Sequence, residues 1–136
     1  MELYEILLKA HSGIRWLVLA MLVVAIVKLA ITWLGGGAYG KGERVISKIT
    51  VGLLDLMFLI GLSMVITLWS ATGIPDRVIL EHAGINLIAI ILAHIAGRPR
   101  GATDPLRARN GMVFFLLSIL LIVVAILRLP QGFTMS

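Results

Sequence analysis

The sequence predicts an all-α protein, a four-helix transmembrane bundle with up-down-up-down order and both termini on the outer, periplasmic face. Of its 136 residues, 60% are hydrophobic and 14% are charged, whereas about 25% of the residues in soluble domains are charged. The charges are concentrated between four apolar runs, each long enough for the roughly 20 helical residues that cross a bilayer. Because backbone groups cannot remain unpaired in lipid, each run is expected to be a helix.

The four spans are expected to form a single transmembrane domain that covers residues 1–136. Glycine and proline mark the connections: three consecutive glycines follow the first run, and a Gly-Ile-Pro-Asp turn follows the second. Short connections make consecutive helices antiparallel neighbours. The predicted helices cover residues 4–34, 45–69, 77–97 and 110–129.

The positive charges predict how this bundle is oriented in the membrane. By the positive-inside rule, the end richer in lysine and arginine faces the cytoplasm, which leaves both termini outside. The net charge of +5 arises largely from these connections, which argues against a nucleic-acid partner. The chain contains no cysteine, so disulfides and thiolate metal sites are excluded. The end expected in the cytoplasm contains Lys41, Arg44, Lys48, Arg98, Arg100, Arg107 and Arg109.

Two histidines occupy matching places in the first and third predicted helices, each followed by a small residue, glycine and isoleucine. Since both helices run inward, the imidazoles are expected at one depth, which suits axial ligation of a haem iron. A nearby arginine suits a haem propionate, the glycines lower the helix surface beside a flat macrocycle, and a glutamate or a backbone carbonyl would hold an imidazole's second nitrogen. Without a CxxCH motif, the haem would be non-covalent, of b type. The predicted site comprises His11 and His82 as iron ligands, with Gly13, Arg15, Glu81 and Gly84 around them.

A second polar cluster is expected nearer the cytoplasm, where Lys28, Asp55 and His94 interrupt the apolar helices. The short aspartate side chain has to be protonated, face a polar interior or find a partner. The favoured structural interpretation of Asp55 is an ion pair with Lys28 that clasps neighbouring helices, with His94 as the alternative partner. Lys28 taken by itself is expected to extend its long side chain toward the cytoplasm. The functional alternative is a proton path to a quinone or haem site. His94 and His82 are expected near opposite membrane faces, so they cannot ligate one haem together.

Three short motifs of this sequence are LKAHSGIRWLVL (residues 8–19), Glu81-His82 and Gly97-Arg98. Together they resemble a family of small four-helix bacterial membrane proteins that are labelled cytochrome b-like. The resemblance extends over nearly the whole chain in layout, and it implies a haem site at the histidines of the first and third helices. It also implies a location in the bacterial inner membrane. Many proteins of that family have a histidine in the second helix near the place of Asp55, so the resemblance leaves the ligand set open.

These observations lead to one leading hypothesis and several alternatives. The leading hypothesis is an electron carrier with one haem b near the outer face, which implies a quinol or a redox partner protein. A cofactor-free accessory subunit of a larger respiratory or photosynthetic complex is the second, and a quinone- or lipid-binding bundle is the third. In a purely structural alternative, the interfacial histidines and arginine contact headgroups and water. The protein is not expected to be an enzyme by itself, and its expected partners are the bilayer and another protein or a second copy.

Overall fold

In a computed structural model of the chain, residues 2–130 and 132 are described. This part of the chain is all-α and contains no strand, which confirms the predicted all-α class. Its helices are long and apolar enough to cross a membrane, which suggests a multi-pass membrane protein. They are α1 (Glu2–Gly35), α2 (Lys41–Thr72), α3 (Arg77–Ala96) and α4 (Asp104–Leu127).

α2 and α4 begin at least four residues earlier than the apolar pattern predicts, because capping groups extend them past the apolar runs. α4 begins at Asp104 rather than near residue 110, since the Thr103 hydroxyl accepts a hydrogen bond from the backbone N–H of Leu106. Proline also lies in its first turn, where its missing N–H is tolerated. α2 begins at Lys41 rather than near residue 45, and a carboxylate oxygen of Glu43 accepts the N–H of Gly40 at 3.0 Å. The apolar pattern therefore marks the membrane-compatible part of each helix, and the caps mark where the helix begins.

The core follows a heptad-like spacing that is continuous along α1 and α4. Buried positions recur at alternating steps of three and four residues, a period of 3.5 that is typical of helices packed at a shallow angle. α1 packs against α2 and α4, and α3 packs against α4 and more sparsely against α2, so α1 and α3 lie diagonally in the bundle. The repeating buried positions are Arg15, Val18, Leu22, Ala25, Leu29 and Thr32 in α1, and Ala108, Gly111, Phe115, Ser118, Ile122 and Ala125 in α4.

Small residues allow α4 to approach its neighbours closely, as is common between membrane helices. A Cβ added to Gly111 would lie 3.1 Å from Cδ1 of Leu29 and 3.3 Å from the backbone oxygen of Ala96. Nearby, the buried hydroxyl of Ser118 donates to the backbone oxygen of Ala89 at 2.8 Å, which ties α4 to α3. The outer faces of all four helices expose large apolar side chains, a surface that is compatible with lipid contact.

Candidate functional site

The two histidines of the predicted site lie side by side, although they belong to diagonally placed helices. The ring centroids of His11 in α1 and His82 in α3 are 6.4 Å apart, and the ring planes are inclined by 58°. Both residues are largely removed from the surface. The matching sequence pattern in the two helices therefore corresponds to a real proximity of the two imidazoles.

The orientation of His82 is fixed by a backbone carbonyl of α4. Its Nδ1 lies 2.7 Å from the backbone oxygen of Ala125. Because a carbonyl only accepts hydrogen bonds, Nδ1 carries the proton and donates it, and Nε2 keeps its lone pair. The side-chain amide of Asn86 donates to the backbone oxygen of His82 at 2.8 Å, one turn along α3. This hydrogen bond therefore selects the tautomer in which Nε2 is unprotonated and is able to accept a hydrogen bond or bind a metal ion.

Glu81 has no part in orienting either histidine, contrary to one of the two predicted arrangements. Its carboxylate pairs with Arg77 at 2.8 Å and with Arg128 beyond the end of α4. Consecutive residues of a helix point about 100° apart, so Glu81 projects away from the side on which its neighbour His82 lies. The other predicted arrangement, a backbone carbonyl at the second nitrogen of an imidazole, is the one present.

Gly61 of α2 lies against His11 and leaves little room for a larger residue, and no pattern in the sequence pointed to this glycine. A Cβ added to Gly61 would lie 3.2 Å from Nε2 and 3.4 Å from Cδ2 of His11, closer than ordinary packing allows. The two predicted glycines are placed differently, because a Cβ at Gly13 or at Gly84 would meet nothing within 4 Å. Gly13 lies on the exposed side of α1, about 200° around the helix from His11, so it does not lower the surface beside the imidazole.

An apolar cavity of about 310 Å³ lies between α2 and α3, and both imidazoles reach its wall. We call it the histidine cavity. Most of its lining is aliphatic, methionine or phenylalanine, and its polar groups are mainly the two histidines and Asn86. Gly84 is also part of the lining, and the exposed side chains of Leu62 and Leu87 border it. Its volume is at the lower end of the roughly 300–1,000 Å³ found for small-molecule sites.

Ser12 and Arg15 add buried polar groups close to His11 along α1. Ser12 is 6% exposed, and its hydroxyl has no hydrogen-bond partner among the described residues. Arg15 is 4% exposed, and its guanidinium carbon lies 5.0 Å from the ring centroid of Trp16. A buried hydroxyl normally has a partner, so this side of the site has hydrogen-bonding capacity for a further polar group.

The second predicted cluster is divided between two pairs. Nε2 of His94 lies 2.7 Å from Oδ1 of Asp55, which joins α3 to α2. The favoured pair between Lys28 and Asp55 is wrong, because the ammonium of Lys28 lies 3.5 Å from the carboxylate of Glu43 instead. Glu43 is buried and also accepts from the hydroxyl of Thr32 at 3.0 Å. Because α2 begins at Lys41, Glu43 lies in a helix beside the end of α1. The sequence placed Glu43 in the connection before α2, so this pairing was not predicted.

Comparisons with known proteins identify no relative: no family model, curated protein or solved structure matches this chain. Within residues 2–130 and 132, no group of three or more histidine, cysteine, aspartate or glutamate side chains is arranged to hold a metal ion. A haem iron requires fewer protein ligands than such a group, because the porphyrin nitrogens supply the other four.

Proposed function

We propose that this protein binds one haem b between α1 and α3, with His11 and His82 as axial ligands, and that it carries electrons within a membrane. The distance of 6.4 Å between the two ring centroids carries this proposal. Imidazole nitrogens that bind one metal ion at about 2 Å from opposite sides place their ring centroids about 6 Å apart. The two side chains therefore have the separation that such ligation needs.

The hydrogen bond from His82 Nδ1 to Ala125 supports the same assignment. Metal-ligating histidines commonly donate their other ring nitrogen to a carbonyl or a carboxylate, which fixes the ring and raises its basicity. Gly61 leaves His11 room beside α2. Arg15, one turn from His11 and buried, is the proposed partner of a propionate. When bound, the haem would supply reversible one-electron chemistry.

The proposed arrangement in the membrane is an up-down-up-down bundle in a bacterial inner membrane, with both termini in the periplasm. The contact of Thr32 with Glu43 joins the end of α1 to the start of α2, and the histidine pair joins the starts of α1 and α3. These contacts are those expected of alternating helix directions. The basic connections then lie at the end opposite the histidines, and the positive-inside rule assigns that end to the cytoplasm. A haem at one face reaches a single side of the bilayer, so a quinol or a protein partner would complete the electron path.

The test is a reduced-minus-oxidised absorption spectrum of the full chain, purified in mild detergent from cells that are supplied with haem. We expect a b-type spectrum that is lost in His11→Ala and in His82→Ala. His94→Ala is the matched control, because the third histidine lies in the other polar cluster. A wild-type protein without a haem spectrum would overturn the proposal, and so would equal loss of haem in all three variants.

The histidine cavity favours one other candidate, the binding of a quinone. The cavity is mostly apolar, it lies between the two adjacent helices that pack most sparsely, and Nε2 of His82 is able to accept a quinol hydroxyl proton. A mass-spectrometric inventory of the ligands retained by the purified protein separates the two candidates. Quinone without haem would favour this second function. Neither ligand, together with a fixed stoichiometry to another membrane protein, would favour the accessory-subunit hypothesis.

A further inference from the structure

A second, charged groove lies between α2 and α3, close to the connection from α3 to α4. It has a volume of about 250 Å³, and we call it the basic groove. Four of its seven lining residues are ionisable, in contrast to the apolar lining of the histidine cavity. The lining residues are Lys48, Val51, Gly52, Asp55, His94, Gly97 and Arg98.

Glycines shape both walls of the basic groove. A Cβ at Gly97 would lie 3.1 Å from Cγ2 of Val51, so the end of α3 approaches α2 closely at this glycine. A Cβ at Gly52 would meet nothing within 4 Å, because this residue faces open space. The groove is consequently open at Gly52, where an added side chain would project.

The charges of the basic groove favour an anionic ligand. Lys48 and Arg98 contribute two exposed cations. Asp55 contributes one carboxylate, and its Oδ1 is engaged by Nε2 of His94 at 2.7 Å. An ionised carboxylate only accepts hydrogen bonds, so this nitrogen carries a proton. Phosphate suits such a set, because lysine and arginine both bind its oxygens in charge-assisted hydrogen bonds.

An apolar strip continues from the basic groove along the same faces of α2 and α3. Leu59 and Leu62 follow Asp55 by one and two helical turns, and Ile91 and Leu87 precede His94 by the same steps. All four are exposed, at 44–59%. A free phosphate would use only the groove, whereas a phospholipid would place its headgroup in the groove and its acyl chains along the strip.

We infer that the basic groove binds the phosphate headgroup of an anionic phospholipid, with Lys48 and Arg98 as its contacts. Basic pockets between membrane helices on the cytoplasmic side are known sites for lipids of this class. The headgroup contacts do not border the histidine cavity, whereas Leu62 and Leu87 of the apolar strip do. Lys28, which the sequence grouped with Asp55 and His94, takes no part, since it pairs with Glu43.

The test is native mass spectrometry of the full chain, titrated with phosphatidylglycerol and, in parallel, with zwitterionic phosphatidylcholine. The variant is Lys48→Ala/Arg98→Ala. Its matched control is Lys41→Ala/Arg100→Ala, which removes two exposed cations outside the groove and leaves the same net charge. At about 1 kcal/mol for each cation, we expect phosphatidylglycerol affinity to fall roughly thirtyfold in the groove variant. The control is expected to stay within about threefold of wild type, and phosphatidylcholine is expected to bind weakly to all forms.

A second variant, Gly52→Leu, fills the open wall without a change of charge, and it is expected to weaken phosphatidylglycerol binding at least tenfold. It keeps the inference testable if the double variant does not fold. Equal loss of binding in both double variants would overturn the inference, because it would show attraction to overall charge. Unchanged binding in Gly52→Leu would overturn it as well. Displacement of the lipid by millimolar inorganic phosphate would assign the groove to free phosphate instead.

Discussion

The close approach of α4 to α1 and α3 makes Gly111 the most informative position for a packing test. In Gly111→Ala, the added Cβ would lie 3.1 Å from the flexible end of Leu29 and 3.3 Å from the backbone oxygen of Ala96. The leucine end can move, but the backbone oxygen can do so only if α3 and α4 separate. Overpacking of this kind costs about 1–3 kcal/mol. The better helix propensity of alanine returns about 1 kcal/mol, so the expected net destabilisation is about 0–2 kcal/mol.

Gly52→Ala is the matched control, because it makes the same chemical change inside a helix where the added Cβ meets nothing within 4 Å. The propensity gain is shared by both variants and cancels in the comparison. We therefore expect Gly111→Ala to be less stable than Gly52→Ala by about 1–3 kcal/mol. Thermal unfolding in detergent, followed by circular dichroism, measures the order of the two Tm values. Equal Tm values, or a higher Tm for Gly111→Ala, would refute the close packing of α4 described above.

Three further predictions concern the site and the contacts between helices. Gly61→Leu is expected to reduce the haem-to-protein ratio at least tenfold while the helical content stays unchanged, because the new side chain would occupy the space of the His11 ring; a wild-type ratio would contradict this. Glu43→Ala removes a buried acceptor shared by three donors, and we expect a loss of about 1–3 kcal/mol in thermal or denaturant unfolding. Ser118→Ala removes a hydrogen bond between helices and should cost about 0.6 kcal/mol. Ser63→Ala removes only a hydrogen bond to its own helix and should be close to neutral. A larger loss of stability in Ser63→Ala than in Ser118→Ala would contradict the stabilising role given to the Ser118 bond.

Much of the fold was predictable from the sequence, because long apolar runs leave the backbone few alternatives to helix. The proximity of His11 and His82 was also predictable, since the sequence predicts two helices of the same direction, and matching patterns in such helices place side chains at matching depth. The helix starts were less accessible. Thr103 and Glu43 extend α4 and α2 through capping contacts, and a prediction based on hydrophobicity does not include such contacts.

The rest of the candidate site depends on which helix faces pack against each other. A membrane helix is apolar on all of its faces, so its sequence does not show which face contacts a neighbouring helix. Gly61 contacts His11 only because α2 lies beside α1 in a particular register. The hydrogen-bond acceptor for His82 is the backbone carbonyl of Ala125. Every residue has such a carbonyl, so the sequence could not show which one would be the partner. The pairing of Lys28 with Glu43 was missed for the same reason, since it depends on where α2 begins.

Electron paramagnetic resonance of the oxidised, purified full chain examines the proposed ligation by His11 and His82 directly, because the spin state of ferric haem reports its axial ligands. We predict a low-spin signal typical of two imidazole ligands in the wild type and in His94→Ala. Loss of either ligand, in His11→Ala or in His82→Ala, is expected to convert any residual haem to a high-spin signal. A wild-type protein with no haem iron, or a low-spin signal that survives in both single variants, would contradict haem ligation by this pair.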